Sequence, residues 1–430
     1  MATDRETDGN DVQAFDETTP ITVPVYDDEH ATDGLPAWTY LSDGLVQLEY
    51  ERVILPSWQF ACHVSQVREP GQFVTLDMMR DSIAVVCGRD GRIRAFKNVC
   101  RHRGARLLEG NGKCRGSIVC PYHGWTYGLD GGLKALPAKR TFPGLDLGDH
   151  SLVEVESEVF FGLVFVRVIS EGGGAGVRES WGEFAKLLEG RGIERLELDD
   201  AGIQTEVWNC NWKTAVDNNL ENYHLPIGHP GYERLLDYDA EGQMNEHGVA
   251  ISDAVHRDEL SPAWTERLYQ RFAPEVLSDL PAEARTSWLF ATMPPNTGVD
   301  IYPDSMDVFQ ILPRTATTCF VRYPIFRPRD TRREARLLRY LNYRINRQAA
   351  NEDKELCERV QKGLGSHGYQ PGPLSALEVA IKDFHDRIRA AIPETRLPDP
   401  PPHLAPGARA VFSADETGAG AAAGGLAVGR

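Results

Sequence analysis

The sequence predicts an α+β fold in two domains: an all-β domain first, then a domain in which helices cover an antiparallel sheet. Three observations carry this. From Trp58 to about Val168, short apolar runs alternate with turn residues at close intervals. Gly172-Gly173-Gly174-Ala175-Gly176 then interrupts the pattern as a linker. Beyond it, strand-like runs are interleaved with long segments of helical period. A chain of 430 residues with 41% hydrophobic and 25% charged side chains suffices for two such cores.

The elements follow in order. Residues 1–34 are acidic, Thr-rich and weakly apolar, and are expected to be a flexible segment. Residues 35–56 hold a short amphipathic helix, from about Ser42 as N-cap to Leu55, closed by Pro56 and assigned to the second domain. Residues 57–168 form the β domain; 83–87, a turn at Asp90-Gly91 and 93–96 read as a hairpin. Residues 169–404 form the second domain, with strands at 288–293, 298–301, 307–312 and 318–323 and a long helix at about 331–362. Residues 405–430 are rich in Gly and Ala, lack periodicity and are expected to be disordered. Forty-six basic against 63 acidic side chains give a formal charge of −17, which argues against nonspecific binding to nucleic acid or an anionic membrane. No apolar run approaches the ~20 residues that span a bilayer. The polar, acidic N-terminus lacks the apolar core of a signal peptide, so a cytoplasmic protein is expected.

Two cysteine–histidine pairs carry the chemistry. Cys100-Arg101-His102-Arg103-Gly104 precedes Cys120-Pro121-Tyr122-His123-Gly124-Trp125, with 17 residues between His102 and Cys120. Two thiolates and two imidazoles can hold one tetrahedral zinc, or a Rieske [2Fe–2S] centre in which histidines replace two cysteines on one iron. Structural zinc sites usually pair like with like, whereas each arm here supplies one ligand of each kind. That suits a dinuclear cluster. The other cysteines, Cys62, Cys87, Cys114, Cys210, Cys319 and Cys357, read as reduced packing residues.

These motifs resemble the Rieske non-haem iron oxygenases, in their large (alpha) terminal oxygenase subunit, over about residues 35–393. The resemblance implies a catalytic domain of helix-grip (START-like) form, a Rieske cluster on Cys100, His102, Cys120 and His123, and a second, mononuclear Fe(II) site. That site needs two histidines and a carboxylate, with coordination positions left open. Residues 211–224 read as a helix ended by Pro226 and Gly228, and this break would let His229 swing back beside His224. For the carboxylate the resemblance points to Glu352-Asp353. Asp353 shares a helical face with Cys357, Val360 and Gln361, which favours it over Glu352, the fallback. Glu221 stands one helical turn before His224. The family implies for it a bridging role, between a mononuclear-site histidine and a Rieske histidine of the neighbouring subunit.

The implied enzyme is a Rieske-type mono- or dioxygenase. It would take O₂, a small-molecule substrate and NADH-derived electrons through a separate flavin reductase or ferredoxin. It would assemble as a homotrimer, with or without a small beta subunit. The chain itself has no nucleotide-binding G-x-G-x-x-G after a strand. An aromatic ring or aromatic acid is the favoured substrate, because Leu225-Pro226-Ile227-Gly228 does not repeat the Cys-rich form associated with the quaternary-ammonium branch. Glu221, where ring-hydroxylating members mostly have Asp, supports the alternative: oxidation or demethylation of a betaine, choline or carnitine type compound. A Rieske electron-transfer protein with an inactive second site is the non-enzyme alternative. The arginines at 327, 329, 332, 333, 336, 339, 344 and 347 read as a solvated, ion-paired face or as a docking patch for an acidic electron donor.

Overall fold

The structure, a computed structural model, describes residues 34–170 and 173–407. The expected flexible segment at 1–34 and disordered tail at 405–430 lie almost wholly outside the described residues. Ser42 caps α1 (Asp43–Glu49) by accepting from Leu45 N at 3.1 Å, and the helix runs on through a π-helical turn, Tyr50–Ile54.

The first domain is antiparallel throughout. Its main sheet contains β1 (Gln59–His63), β2 (Gln72–Met78), β3 (Asp81–Cys87), β4 (Ile93–Lys97), β5 (Asn111–Lys113), β9 (Glu154–Phe160) and β10 (Leu163–Arg167). Their order is β1-β10-β9-β4-β3-β2-β5. A small sheet of β6 (Ile118–Val119), β7 (Thr126–Tyr127) and β8 (Leu133–Ala135) stands beside it. The two motif loops lie between β4 and β5 and between β6 and β7. They share one geometry: Gly104 N and Gly124 N donate to Cys100 O and Cys120 O at 3.0 Å each. Both glycines take positive φ, +74° and +70°, which a side chain would resist.

The second domain is built on β11 (Leu196–Trp208), β12 (Leu236–Tyr238), β13 (Gln243–Met244), β14 (Ala250–His256), β15 (Ser287–Met293), β16 (Thr297–Tyr302), β17 (Ser305–Thr315) and β18 (Thr318–Pro328). The antiparallel order is β11-β18-β17-β16-β15-β14-β12, with β13 beside β14. The helices are α2 (Trp212–Asn219), α3 (Leu225–Gly228), α4 (Pro230–Leu235), α5 (Trp264–Val276), α6 (Arg333–Leu364) and α7 (Val379–Ala391). The domains share core. Val74, Val85 and Val164 of the first pack in one cluster with Trp208, Ile311 and Val321 of the second. Arg322, buried, donates to Phe60 O at 3.0 Å across the junction.

Two local readings are corrected. Residues 211–224 are not one helix: α2 stops at Asn219, and Glu221 and His224 follow in a turn. Asn219 spends its side chain on the sheet, where its Oδ1 accepts from the Thr292 hydroxyl at 2.9 Å. Nor do Pro226 and Gly228 break a helix. They lie within α3, where proline near the start lacks only an N–H that would be unpaired anyway, and the chain turns at His229 (φ −124°, ψ 72°). Further on, Val360 of α6 is 50% exposed, whereas Cys357 and Gln361 are buried. The packed stripe drifts toward Gln361, whose Oε1 accepts from Asn211 N at 2.6 Å.

Candidate active site: a histidine–aspartate triad beside a cavity

The first domain brings its four motif residues to one place. Cys100 and Cys120 are 2% and 3% exposed. The imidazoles of His102 and His123 lie with ring centres 4.7 Å apart. His102 stacks on Trp125 at 4.8 Å and His123 on Tyr122 at 3.8 Å, which fixes both rings. The Nδ1 atoms of both histidines are buried and have no hydrogen-bond partner. Burying two such acceptors would be costly unless they bond to something else. Two thiols and two orphaned imidazole nitrogens at the tips of matching loops fit a Rieske cluster. Tyr127 Oη lies 3.3 Å from Cys100 Sγ and accepts from Arg101 N, a neighbour able to tune cluster sulfur.

The second domain brings together His224, His229 and Asp353, from the turn before α3, the residue after it, and α6. The two Nε2 atoms are 3.1 Å apart. Asp353 Oδ1 is 2.9 Å from His229 Nε2 and 3.5 Å from His224 Nε2, yet it is buried without a well-angled hydrogen bond. The three ligand atoms all lie within 4.8 Å of one another, a spacing that suits ligands round one ion, and the residues fit a mononuclear iron. Burial alone would depress His224, but the Asp353 and Glu221 carboxylates outweigh it and raise the imidazole to about 9. Burial likewise opposes ionisation of Asp353, and the two histidines outweigh it, holding the acid at about 2.

Each imidazole has a second carboxylate on its other nitrogen. Glu221 Oε1 is 2.6 Å from His224 Nδ1, and Glu221 Oε2 accepts from His224 N at 3.0 Å. The link exists, but through a turn rather than along one helix face. Glu352 Oε2 is 2.9 Å from His229 Nδ1, so Glu352 meets the other ring nitrogen from the one beside Asp353.

A cavity of about 590 Å³ opens from the triad. Because strand side chains alternate in direction, every second residue of neighbouring strands lines it: Phe290 and Thr292 on β15, Asp300 and Tyr302 on β16, Asp307 and Phe309 on β17, Tyr323 and Arg327 on β18. Asp300 and Asp307 are direct cross-strand partners. Burial pushes Asp307 up to about 7 and also raises Asp300 well above the usual carboxylate range, Asp300 feeling the Asp307 charge as well. Among the described residues neither makes an ion pair. The cavity arginines are already engaged, Arg327 with Asp199 at 2.8 Å and Arg347 with Glu206 at 2.6 Å. The sequence reading missed Asp300 and Asp307; the available signal was an acid inside each of two apolar strands. The arginine-rich stretch is largely committed as well, with Arg332 on Asp330 and Arg344 over the Trp264 ring.

Comparison with known proteins agrees with this geometry. Residues 57–152 match the Rieske [2Fe-2S] domain and residues 189–394 the ring hydroxylating alpha subunit catalytic domain. The carnitine monooxygenase oxygenase subunit of Escherichia coli (strain K12) is 32% identical over 341 residues, covering 78% of this chain and 85% of the relative. The chloroplastic choline monooxygenase of Arabidopsis thaliana is 28% identical over 87% of this chain and 84% of its own. Among solved structures, a quaternary ammonium Rieske monooxygenase, CntA, with L-carnitine superposes at TM-score 0.67 and 25% identity, over 84% of this chain and 95% of that one. Naphthalene 1,2-dioxygenase shares the fold at TM-score 0.64 and 22% identity, over the same shares. The chain therefore belongs to the Rieske non-haem iron oxygenases, as an alpha, terminal oxygenase subunit whose cofactors are a [2Fe–2S] Rieske cluster and a mononuclear iron.

Proposed function

We propose that this oxygenase oxidises a quaternary ammonium compound, and that the observation carrying this is the acid pair in its cavity. Asp300 and Asp307 face the same space as Phe290, Tyr302, Phe309 and Tyr323, and the arginines that share it, Arg327 and Arg347, are paired with Asp199 and Glu206 instead. Buried carboxylates are costly to keep charged unless a cation arrives. Aromatic faces add cation–π attraction of ~0.5–2 kcal/mol. A neutral aromatic substrate would use the rings and leave the acids without function, so the reading from sequence that favoured an aromatic ring gives way to its alternative. The two sequence relatives named above, with carnitine and choline in their names at 32% and 28% identity, point the same way.

His224, His229 and Asp353 would hold the iron, and Cys100, His102, Cys120 and His123 the cluster. When bound, the iron supplies O₂ activation and the cluster stores an electron for it. The chain's own part is positional. The acid pair and rings seat the cationic head. Glu221 holds Nδ1 of His224 so that Nε2 faces the cavity, and its place in the turn suits a bridge to a Rieske histidine of a neighbouring subunit. Such a bridge needs a neighbouring copy of this chain, and the reading includes a homotrimer fed by an NADH-dependent reductase.

The test is O₂ consumption by the purified, reconstituted enzyme with a reductase and NADH. Choline, carnitine and glycine betaine should each be compared with a panel of aromatic acids, and the products identified. Turnover of an aromatic acid with no response to any quaternary ammonium compound would restore the aromatic reading.

A further inference from the structure

Glu352 and Asp353 are sequence neighbours on α6, and consecutive helical side chains diverge by about 100°. His229 sits in the angle between them. Asp353 Oδ1 lies 2.9 Å from its Nε2 and Glu352 Oε2 lies 2.9 Å from its Nδ1. The carboxylate of Glu352 is itself held one turn back, where Gln348 Nε2 donates to Oε1 at 2.8 Å. The ring has little freedom otherwise: the His229 side chain is 3% exposed, and Tyr232 packs beside it at 5.3 Å between ring centres.

An imidazole that offers Nε2 to a metal carries its proton on Nδ1. A buried N–H needs an acceptor, and among the described residues Glu352 is the acceptor in reach of this one. We propose that Glu352 is the positioning residue of His229: it accepts the Nδ1–H, fixes the tautomer and the ring's rotation, and is itself aimed by Gln348. The inference rests on the reading of His229 and Asp353 as metal ligands. It divides the labour between two acids on different supports. Glu221 steadies His224 from a turn, and Glu352 steadies His229 from the middle of a 32-residue helix. A Gln348–Glu352–His229 chain runs along rigid scaffold, so the His229 arm would stay aimed while the loop carrying Glu221 meets a neighbour.

The experiment is anaerobic Co(II) titration of the full chain with its cluster loaded and the mononuclear site emptied, followed by the cobalt visible bands. Glu352→Ala should weaken Co(II) binding by roughly 10–100-fold, the usual cost of losing such a partner. Glu352→Gln keeps an amide oxygen that can accept Nδ1–H, so it should stay within about threefold of the parent. Gln348→Ala, which leaves the acid in place but unaimed, should fall between. Cluster absorption and the melting temperature of the cobalt-free protein should not move in Glu352→Gln or Gln348→Ala. Parent-like affinity in Glu352→Ala would overturn the proposal, and so would equal losses in the Ala and Gln variants. Asp353→Ala separates the two levels: if it binds Co(II) as the parent does, the ligand reading itself fails. If it loses Co(II) while Glu352→Ala does not, the positioning role alone fails.

Discussion

Replacing Asp307 by Asn isolates charge from shape in the cavity. The carboxylate lies against Asp300 and Tyr302, with Arg327 the cation that most lowers it. A quaternary ammonium centre cannot approach a carboxylate oxygen closer than about 4–5 Å, and at an effective dielectric of about 20 that contact is worth ~3–4 kcal/mol. The pair holds at most one full charge near neutrality, and desolvation of the ligand offsets part of the gain. What remains is about 1.5–3 kcal/mol, or roughly ten- to a hundredfold in Kd. The assay compares binding of a quaternary ammonium ligand with its neutral tert-butyl isostere. Asp307→Asn should lose the first by that factor and leave the second unchanged. Equal losses for both ligands, or none for the cation, would refute the reasoning.

The same group gives a pH signature. Its folded value of about 7 lies above the ~3.9 of an unfolded Asp, so its stabilising contribution is full below about pH 4 and is lost as pH rises through 7. The Asn variant should therefore match the parent at pH 4 and exceed it at pH 8, by about 1–4 kcal/mol in the ligand-free protein. A bound cation reverses the preference, since it favours the ionised acid. Affinity for the cation should rise from pH 6 to pH 8 in the parent and rise less in Asp307→Asn, where Asp300 alone remains to titrate. A residue that costs stability when the cavity is empty is expected where binding requires it.

Changing His224, His229 or Asp353 to Ala should each remove the mononuclear iron and turnover while leaving the cluster spectrum intact, measured by iron content and EPR, because the two ligand sets lie in separate domains. His102→Cys should keep iron and sulfide but lower the cluster potential by a few hundred millivolts, toward all-cysteine values, in direct voltammetry. Glu221→Gln should retain both metals yet slow reoxidation of the reduced cluster when substrate and O₂ are mixed in by stopped flow. A parent-like rate would remove the bridging role from Glu221.

The legible parts of this chain were those where chemistry is local. Cys100, His102, Cys120 and His123 sit in two loops whose glycines set the turn, so spacing alone described the cradle. His224 and His229 were legible as a pair, but the path between them was not. The helix reading failed at Asn219, because its amide is used by Thr292 of a strand distant in sequence. Helical phase singled out Asp353, and the structure puts its Oδ1 2.9 Å from His229 Nε2. It set Glu352 aside as the fallback but gave no sign of its place on His229 Nδ1, because that depends on one imidazole lying 123 residues earlier. The arginine run shows the converse: its charges are conspicuous in sequence, and Glu197, Asp199, Glu206 and Asp330 pair with four of the eight, Arg329, Arg327, Arg347 and Arg332.

The acid pair marks the boundary between the two cases. Tyr302 pairs with Ser305 across a two-residue turn, Pro303-Asp304, and that register alone sets Asp300 opposite Asp307. The dipeptide is not one of the Asn-Gly or Asp-Gly sequences that announce such a turn, so the strands read as ending at 301 and resuming at 307. What holds the turn is distant. Asp304 Oδ1 accepts from Tyr269 Oη at 2.7 Å and from Asn342 Nδ2 at 3.1 Å, contributions of α5 and α6. A slip of one residue would turn an acid out of the cavity, since side chains of a strand alternate. The specificity of the site thus depends on a register that tertiary contacts impose. Loosening it by Asp304→Ala should weaken cation binding through a residue that does not line the cavity, while the neutral isostere loses no more than the cation. A variant that unfolds the turn yet binds the cation as tightly as the parent would show that the pair does not need its partner strand.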